Sequence, residues 1–134
     1  MSRRRAREVA LQALFQLDFN KIDNEDALQA VLSESKILSD SARSYAGCIV
    51  SGTREHLEEI DQMISKNSAE WKVERMPSVD RNITRMAVYE LYFGDEKLTP
   101  NIIINEAVEL AKTFGTDASA KFVNGILGAM IKKY

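Results

Sequence analysis

Four arginines lie within the first seven residues of the chain, and no acidic residue accompanies them there. The guanidinium groups of Arg3, Arg4, Arg5 and Arg7 are suited to bidentate hydrogen bonds with phosphate oxygens. The remaining 14 basic and 20 acidic side chains give the rest of the molecule a charge of −6. The sequence therefore predicts an acidic body with a basic end that contacts phosphates locally. A solvated N-terminus without a binding role is the alternative.

The other reactive side chains give little basis for catalysis. His56 is the only histidine and lies next to Glu55 in a helical pattern, which is typical of a surface position, and Cys48 is the only cysteine. One cysteine and one histidine do not form a zinc site of the usual kind. The glycines at 125 and 128 lie within a helical pattern and not in a phosphate-binding loop. We therefore expect no enzyme activity, no metal and no cofactor.

Length and composition indicate one globular domain: the chain has 134 residues, of which 45% are apolar and 28% charged. A single cysteine excludes an intramolecular disulfide, as is usual for proteins of the reducing cytoplasm, so we expect a cytoplasmic protein. No apolar run approaches the roughly 20 residues of a membrane span, so we expect no membrane contact.

Apolar residues recur at helical spacing along most of the chain, and only 6 glycines and 2 prolines are available to interrupt it. This pattern predicts an all-α fold. We expect helices over 4–19, around 27–32 after a cap at Asp23 or Asn24, over 40–66 after Ser39 or Asp40, from Ser78 to Gly94, from Thr99-Pro100 to Gly115, and from Thr116 or Asp117 to about 131.

A polar run at 66–68 separates the two halves of this pattern. We interpret it as a boundary between two packed subdomains of one domain, covering about 1–66 and 67–134.

Three glycines lie within the predicted helices and need an explanation there. Gly52 destabilises its helix by up to about 1 kcal/mol unless a neighbour packs closely there, whereas Gly125 and Gly128 are predicted to allow close helix crossing.

Four polar residues in the second half are predicted to form a buried network between the helix that begins at Ser78 and the helix that begins at Thr99-Pro100. A glutamate on an apolar helix face needs hydrogen-bond partners when it is buried. The residues are Tyr89, Glu90, Asn105 and Glu106.

Three segments together resemble the NusB family of bacterial transcription antitermination factors. In chain order they are RRRARE at 3–8 with ALQALFQ at 10–16, VDRNITRMAVYEL at 79–91, and INEAVELAKTFG at 104–115 with KFVNGIL at 121–127. The segments span nearly the whole chain, and their order and spacing match the family.

The resemblance implies a three-helix bundle followed by a four-helix bundle, which agrees with the boundary near residue 66. It also implies a function. NusB-like proteins pair with a small-subunit ribosomal protein, NusE, and the pair binds the boxA element of nascent RNA. With other Nus factors this allows RNA polymerase to read through terminators, chiefly in ribosomal RNA operons.

The residues of an RNA surface follow from the family and from side-chain chemistry together. The arginines suit single-stranded RNA, and exposed aromatic rings stack on bases with about 1–3 kcal/mol per base. The candidates are Arg3, Arg4, Arg5, Arg7, Gln12, Phe15, Gln16, Lys121, Phe122 and Asn124. For Phe15 and Phe122, core packing is the alternative role; for Gln12, Gln16 and Asn124, it is ordinary surface polarity.

The family also implies a surface for the ribosomal-protein partner. Glu74, Arg75, Asp80 and Arg81 match it, with solvated charges at a helix start as the alternative. Some relatives carry an acidic residue where Ala118 stands, whereas this chain has its acid at 117. A helical scaffold that binds only proteins, with the arginines as a solubilising tail, is the competing function.

Overall fold

The computed structural model of the chain describes residues 3–34, 38–68, 72–95 and 98–133. Within these ranges the chain forms seven α-helices, one short 3₁₀ helix and no strand, which confirms the all-α prediction for this part. The α-helices are α1 (Arg3–Phe19), α2 (Asn24–Glu34), α3 (Asp40–Glu55), α4 (Leu57–Asn67), α5 (Ser78–Tyr92), α6 (Pro100–Phe114) and α7 (Asp117–Lys133), and the 3₁₀ helix is Val73–Arg75.

Short polar side chains begin several helices where the sequence predicts them. The carboxylate of Asp23 accepts a hydrogen bond from the backbone N–H of Asp26 at 2.8 Å, and the Ser39 hydroxyl accepts one from Ala42 at 3.1 Å. At the start of α7, Thr116 and Ser119 each accept the other's backbone N–H with their hydroxyls, at 3.1 Å. This reciprocal pair is the arrangement of a capping box.

Helix α5 lies at the centre of the fold. It packs against α1, α3, α4, α6 and α7. Its apolar residues Ile83, Met86 and Val88 are fully buried in a single core to which the other helices contribute. The division into subdomains near residue 66 stays a prediction, because α5 joins both sets of helices.

The prediction of one helix over 40–66 is wrong in one respect, because the helix is interrupted at His56. The backbone there has φ −102° and ψ 19°, outside the α-helical region. The imidazole stacks on the Phe93 ring, with 4.3 Å between centroids and 15° between planes. Since Phe93 follows α5, this contact comes from tertiary packing and has no signature in the local sequence pattern.

The three helical glycines for which the sequence carried an expectation have different surroundings. A Cβ on Gly52 would overlap the Tyr89 ring, so the glycine permits the close approach that the sequence analysis required of this position. The prediction for Gly125 and Gly128 is wrong, because a Cβ on either would meet no atom of the described residues within 4 Å. Neither glycine therefore allows a close approach by another described helix.

Candidate nucleic-acid and partner interface

The outward face of α1 carries a stripe of polar and aromatic residues. Positions 5, 12, 15, 16 and 19 follow helical spacing, opposite the apolar positions that pack into the core. Gln12, Phe15 and Gln16 are half-buried, and Phe15 also packs against the core. Phe19 is 75% exposed at the C-terminal end of the stripe. Sequence reasoning missed Phe19, although its spacing of four residues from Phe15 was a usable signal.

Arg4 lies exposed near the start of α1 but is held by a carboxylate from a distant helix. Its Nε donates to Glu106 Oε1 at 3.1 Å and its Nη2 to Oε2 at 2.7 Å. These hydrogen bonds raise the pKa of Arg4 and lower the pKa of Glu106, so both groups stay charged at neutral pH. The pair fixes the direction in which the Arg4 side chain leaves the helix.

Arg7 is not part of an exposed basic end, which corrects the expectation for this residue. Only 3% of Arg7 is exposed. Its Nε and Nη2 donate to Glu90 at 2.7 and 2.8 Å, and its Nη1 lies 3.6 Å from Glu106. Burial opposes the charged form of Arg7, but the hydrogen bonds and charge of Glu90 outweigh it and raise its pKa. Arg7 is therefore a structural ion-pair partner.

The pattern of α1 contained a signal for this burial. Arg7 shares its face with Ala10 and Leu14, three and seven residues further on, and both are buried. An arginine on such a face needs a buried acid opposite it. Glu90, on the apolar face of α5, is that acid.

The predicted network between helices five and six is larger than expected and has different members. Glu90 and Glu106 belong to it, and Tyr45 of α3 joins by donating its hydroxyl to Glu90 at 2.7 Å. Asn105 is exposed and Tyr89 packs against Gly52 instead, so these two assignments are wrong. The network thus ties α1, α3, α5 and α6 together.

Tyr45 also contacts the basic end of α1 through its ring. The guanidinium carbon of Arg3 lies 5.8 Å from the ring centroid, and that of Arg7 lies 5.7 Å from it. Both distances are within the range of a cation–π interaction. Arg3 and Arg4 are exposed and Arg5 is half-buried, so all three remaining arginines reach solvent.

The four candidate partner residues divide into exposed and buried members. Glu74 and Arg75 are exposed on the 3₁₀ helix. Asp80 is only 6% exposed, so the alternative of a solvated charge is wrong for it. Arg81 donates to Asp18 at 2.9 Å. The surface that the sequence assigned to a partner therefore consists chiefly of Glu74 and Arg75, with Arg81 at its edge.

Asp80 lines a cavity of about 590 Å³ between the start of α5 and the start of α7. The rings of Phe114 and Phe122 and the exposed Ala118 form other parts of its wall. Asp80 Oδ1 is buried and accepts no hydrogen bond from the described residues. Phe122 is half-buried, so its ring contributes both to the core and to this cavity.

The candidates on α7 lie apart from those on α1. Lys121 and Asn124 are exposed on α7. In the described part of the chain, α7 packs against α4, α5 and α6 and shares no extensive interface with α1. The structure therefore gives two groups of candidate RNA residues, with the start of α5 between them.

Asp18 connects the end of α1 to the start of α5, and sequence reasoning missed it. Its carboxylate accepts hydrogen bonds from Ser78 at 2.9 Å, from Arg81 at 2.9 Å and from Asn82 at 2.7 Å. Partial burial opposes ionisation, but these hydrogen bonds and the charge of Arg81 lower the pKa of Asp18. This cluster fixes the α1 stripe relative to Glu74, Arg75 and Arg81.

Two further classes of site have no support among the described residues. Their histidine, cysteine and acidic side chains form no group that could hold a metal ion. None of the described helices combines the length and apolarity that a membrane crossing requires.

The fold and the site define a protein that is all-helical in its described part, with an arginine-rich helix end, an adjacent polar and aromatic stripe, and a separate, largely apolar cavity. The family model described as the NusB family matches residues 4–132. The chain belongs to the NusB family.

Individual relatives agree with this assignment. The chain is 45% identical over 133 residues to the transcription antitermination protein NusB of Desulforudis audaxviator strain MP104C, covering 99% of this chain and 95% of that protein. The solved structure of T. maritima NusB is similar with a TM-score of 0.90 and 38% identity, covering 100% of this chain and 93% of that one.

A second solved structure contains antitermination factors NusB and NusE in complex with double-stranded RNA. Its matching chain has a TM-score of 0.89 and 33% identity, with 100% of both chains covered.

Proposed function

We propose that this protein is a transcription antitermination factor that binds boxA-type RNA together with the ribosomal protein NusE. Membership of the NusB family is the observation that carries the proposal. In this function the protein joins other Nus factors on RNA polymerase and promotes read-through, chiefly of ribosomal RNA operons. It acts in the cytoplasm and by binding, without a catalytic step of its own.

The N-terminal part of α1 forms the first RNA surface. Arg3, Arg4 and Arg5 contact phosphates, and their long side chains reach solvent from one turn of the helix. Gln12, Phe15 and Gln16 extend the surface along the outward face of α1. From residue 3 to residue 16 a helix rises about 20 Å, which is enough to contact several nucleotides.

The start of α7 forms the second RNA surface. Lys121 is exposed and suited to a phosphate contact, and Asn124 is exposed and offers both a donor and an acceptor to a base edge. Phe122 presents part of its ring to the cavity that Asp80 lines. A base entering this cavity would meet the aromatic side chains of Phe114 and Phe122.

The partner surface lies at the 3₁₀ helix and the start of α5. Glu74 and Arg75 are exposed there, and Asp18 holds Arg81 beside them. A basic ribosomal protein docked on this part of the acidic body would add positive charge between the two RNA surfaces. Asp80 contributes from the cavity and not from the open surface.

Cooperation between RNA and partner follows from the charge distribution. Three accessible arginines on an acidic body offer few phosphate contacts, so electrostatic attraction alone binds RNA weakly. Docking of NusE raises the RNA affinity, and thermodynamic linkage requires RNA to raise the NusE affinity by the same factor.

A binding titration tests the proposal. The affinity for boxA-like RNA and for scrambled RNA of equal length is measured with and without NusE. We expect weak binding of both RNAs by the isolated protein, and tighter, more selective binding of boxA once NusE is present. An RNA affinity that NusE leaves unchanged would contradict the cooperative function.

The protein–protein scaffold is the second candidate, and the exposed Glu74 and Arg75 are the observation that favours it. The two functions differ in salt dependence. Phosphate contacts make the logarithm of RNA affinity fall with the logarithm of salt concentration by about 0.7 per contact for single strands. A scaffold that binds only NusE would bind no RNA at any salt concentration.

A further inference from the structure

Arg4 is exposed enough to reach RNA, yet its guanidinium already has a bidentate partner. Arg4 Nε and Nη2 donate to the two carboxylate oxygens of Glu106, at 3.1 and 2.7 Å. A carboxylate and a phosphate present similar pairs of oxygens to a guanidinium fork. Glu106 therefore occupies an edge of Arg4 that a phosphate would use.

Glu106 is fixed in place by more than this one contact. Its side chain is 19% exposed, against 59% for Arg4, and Glu106 Oε1 also lies 3.6 Å from Nη1 of the buried Arg7. The hydrogen bonds from Arg4 keep the Glu106 carboxyl ionised by lowering its pKa. Glu106 of α6 therefore keeps its negative charge beside the arginines at the start of α1.

We propose that Glu106 competes with RNA phosphates for Arg4 and lowers the affinity of the arginine-rich end for the RNA backbone. The inference rests on the proposed RNA-binding function and adds to it a residue that restrains that binding. A phosphate that approaches Arg4 must displace the carboxylate or lie beside its charge, and both are unfavourable. Because backbone contacts carry no sequence information, weakening them leaves selection to the base contacts elsewhere.

Glu109 provides a matched control on the same helix. It lies one turn after Glu106, is exposed, and forms an ion pair with Lys112 at 3.8 Å. Its charge also acts on Arg4, but at long range and without a hydrogen bond. Glu106→Gln and Glu109→Gln therefore make the same change in net charge, and only the first removes the charge that is bonded to Arg4.

The experiment compares the two variants with the wild type in titrations with boxA-like and scrambled RNA at several salt concentrations. We expect Glu106→Gln to bind both RNAs about two- to fivefold more tightly, since an exposed ion pair of this kind has a modest strength. For this variant, the slope of the logarithm of RNA affinity against the logarithm of salt concentration should become steeper by up to about 0.7, which corresponds to one added phosphate contact. Glu109→Gln should change the affinity by a smaller factor.

A double-mutant cycle shows whether the effect passes through Arg4. In an Arg4→Ala background, Glu106→Gln should no longer raise the affinity beyond the effect of Glu109→Gln. Thermal unfolding checks that each variant is folded, which we expect because Glu90 still balances Arg7. If Glu106→Gln does not fold, Glu106→Asp replaces it, because the shorter side chain keeps the charge and loses the bidentate reach.

The outcomes separate this inference from the function on which it rests. If the wild type binds RNA and Glu106→Gln binds no more tightly than Glu109→Gln, the competition is wrong and the proposed function stands. Weaker binding by Glu106→Gln also overturns the inference, because Glu106 would then position Arg4 for RNA. If neither the wild type nor any variant binds RNA, with or without NusE, both proposals are wrong.

Discussion

Arg7 of α1 and Glu90 of α5 form a bidentate ion pair inside the protein, although 83 residues separate them in the sequence. The two hydrogen bonds measure 2.7 and 2.8 Å, and the side chains are 4% and 7% exposed. The pair joins the helix that carries the arginines to the central helix of the fold. Arg7 therefore stabilises the fold, whereas Arg3, Arg4 and Arg5 are the arginines that we propose bind RNA.

Removing Arg7 should destabilise the protein. We expect Arg7→Met to lower the free energy of unfolding by about 3–5 kcal/mol, because Glu90 is left as a buried charge without its partner. The double variant Arg7→Met, Glu90→Leu should recover much of this loss, since neither charge then remains. Urea denaturation of the three proteins measures both effects. A loss below about 1 kcal/mol in Arg7→Met would show that Glu90 finds water or another partner.

Removing the other arginines should affect RNA binding and not folding. In the triple variant of Arg3, Arg4 and Arg5 to Ala, we expect the RNA affinity to fall and the salt dependence to decrease by up to about 0.7 per lost contact. Surface changes usually alter stability by less than about 0.5 kcal/mol each. Fluorescence titration with boxA-like RNA and thermal unfolding provide the two measurements. Unchanged RNA affinity would refute the assignment of this surface.

The sequence predicted most of the fold because helix starts and apolar periodicity are local signals. Residue type alone placed each of three caps at one of two neighbouring residues, and the structure shows that the first of each pair, Asp23, Ser39 and Thr116, is the cap. The interruption at His56 was missed, since its stacking on Phe93 depends on how α5 packs and not on the neighbouring sequence.

The candidate site was predicted by residue type more reliably than by exposure. Arginines near a helix start indicate a phosphate surface, but only the register with Ala10 and Leu14 distinguishes the buried Arg7 from its neighbours. Asp18 gave no signal at all, because a single acid near a helix end acquires its role only when Arg81 and Asn82 arrive from a distant helix.

Asp18 should make stability depend on pH in the acid range. Its pKa is lowered in the folded state, so the folded protein holds this proton less well than the unfolded chain. The resulting stabilisation is complete above the ordinary pKa of about 4 and is lost as the pH falls through the lower folded value. We expect Asp18→Asn to be less stable by about 3 kcal/mol at pH 7.

Denaturant unfolding between pH 7 and pH 3 checks this prediction. The difference between wild type and Asp18→Asn should shrink as the pH falls below about 4, because the unfolded wild-type chain then binds a proton at Asp18 more readily than the folded protein does. Asp26→Asn, at an exposed position in the first turn of α2, serves as the control with the same change in charge. A constant difference across the pH range would mean that Asp18 acts through shape and not through its charge.

Two glycine substitutions should change stability in opposite directions. Gly52→Ala should destabilise by about 1–3 kcal/mol, because the new methyl group overlaps the Tyr89 ring. Gly125→Ala should stabilise by up to about 1 kcal/mol, because it adds helix propensity at a position with open space. We expect a lower melting temperature than the wild type for Gly52→Ala and a higher one for Gly125→Ala. Adding Tyr89→Ala should make Gly52→Ala much less damaging; if it does not, the clash lies elsewhere.

Glu74 provides the sharpest test of the partner surface, because it is exposed and its neighbour Asp80 is not. Glu74→Lys places a positive charge against a basic partner, so we expect NusE binding to weaken by about tenfold, mainly through slower association at low salt. The RNA affinity of the isolated protein should change little, while the increase in RNA affinity that NusE provides should shrink by the same factor as NusE binding.

Glu25→Lys is the matched control. Glu25 is exposed on α2, which packs against α1 and α3 and not extensively against α5 in the described part of the chain. Affinities for NusE alone, for RNA alone and for RNA with NusE, measured for the wild type and both variants, complete the thermodynamic cycle. If Glu74→Lys and Glu25→Lys weaken NusE binding equally, the partner responds only to the net charge of the acidic body, and the surface at the 3₁₀ helix is not its docking site.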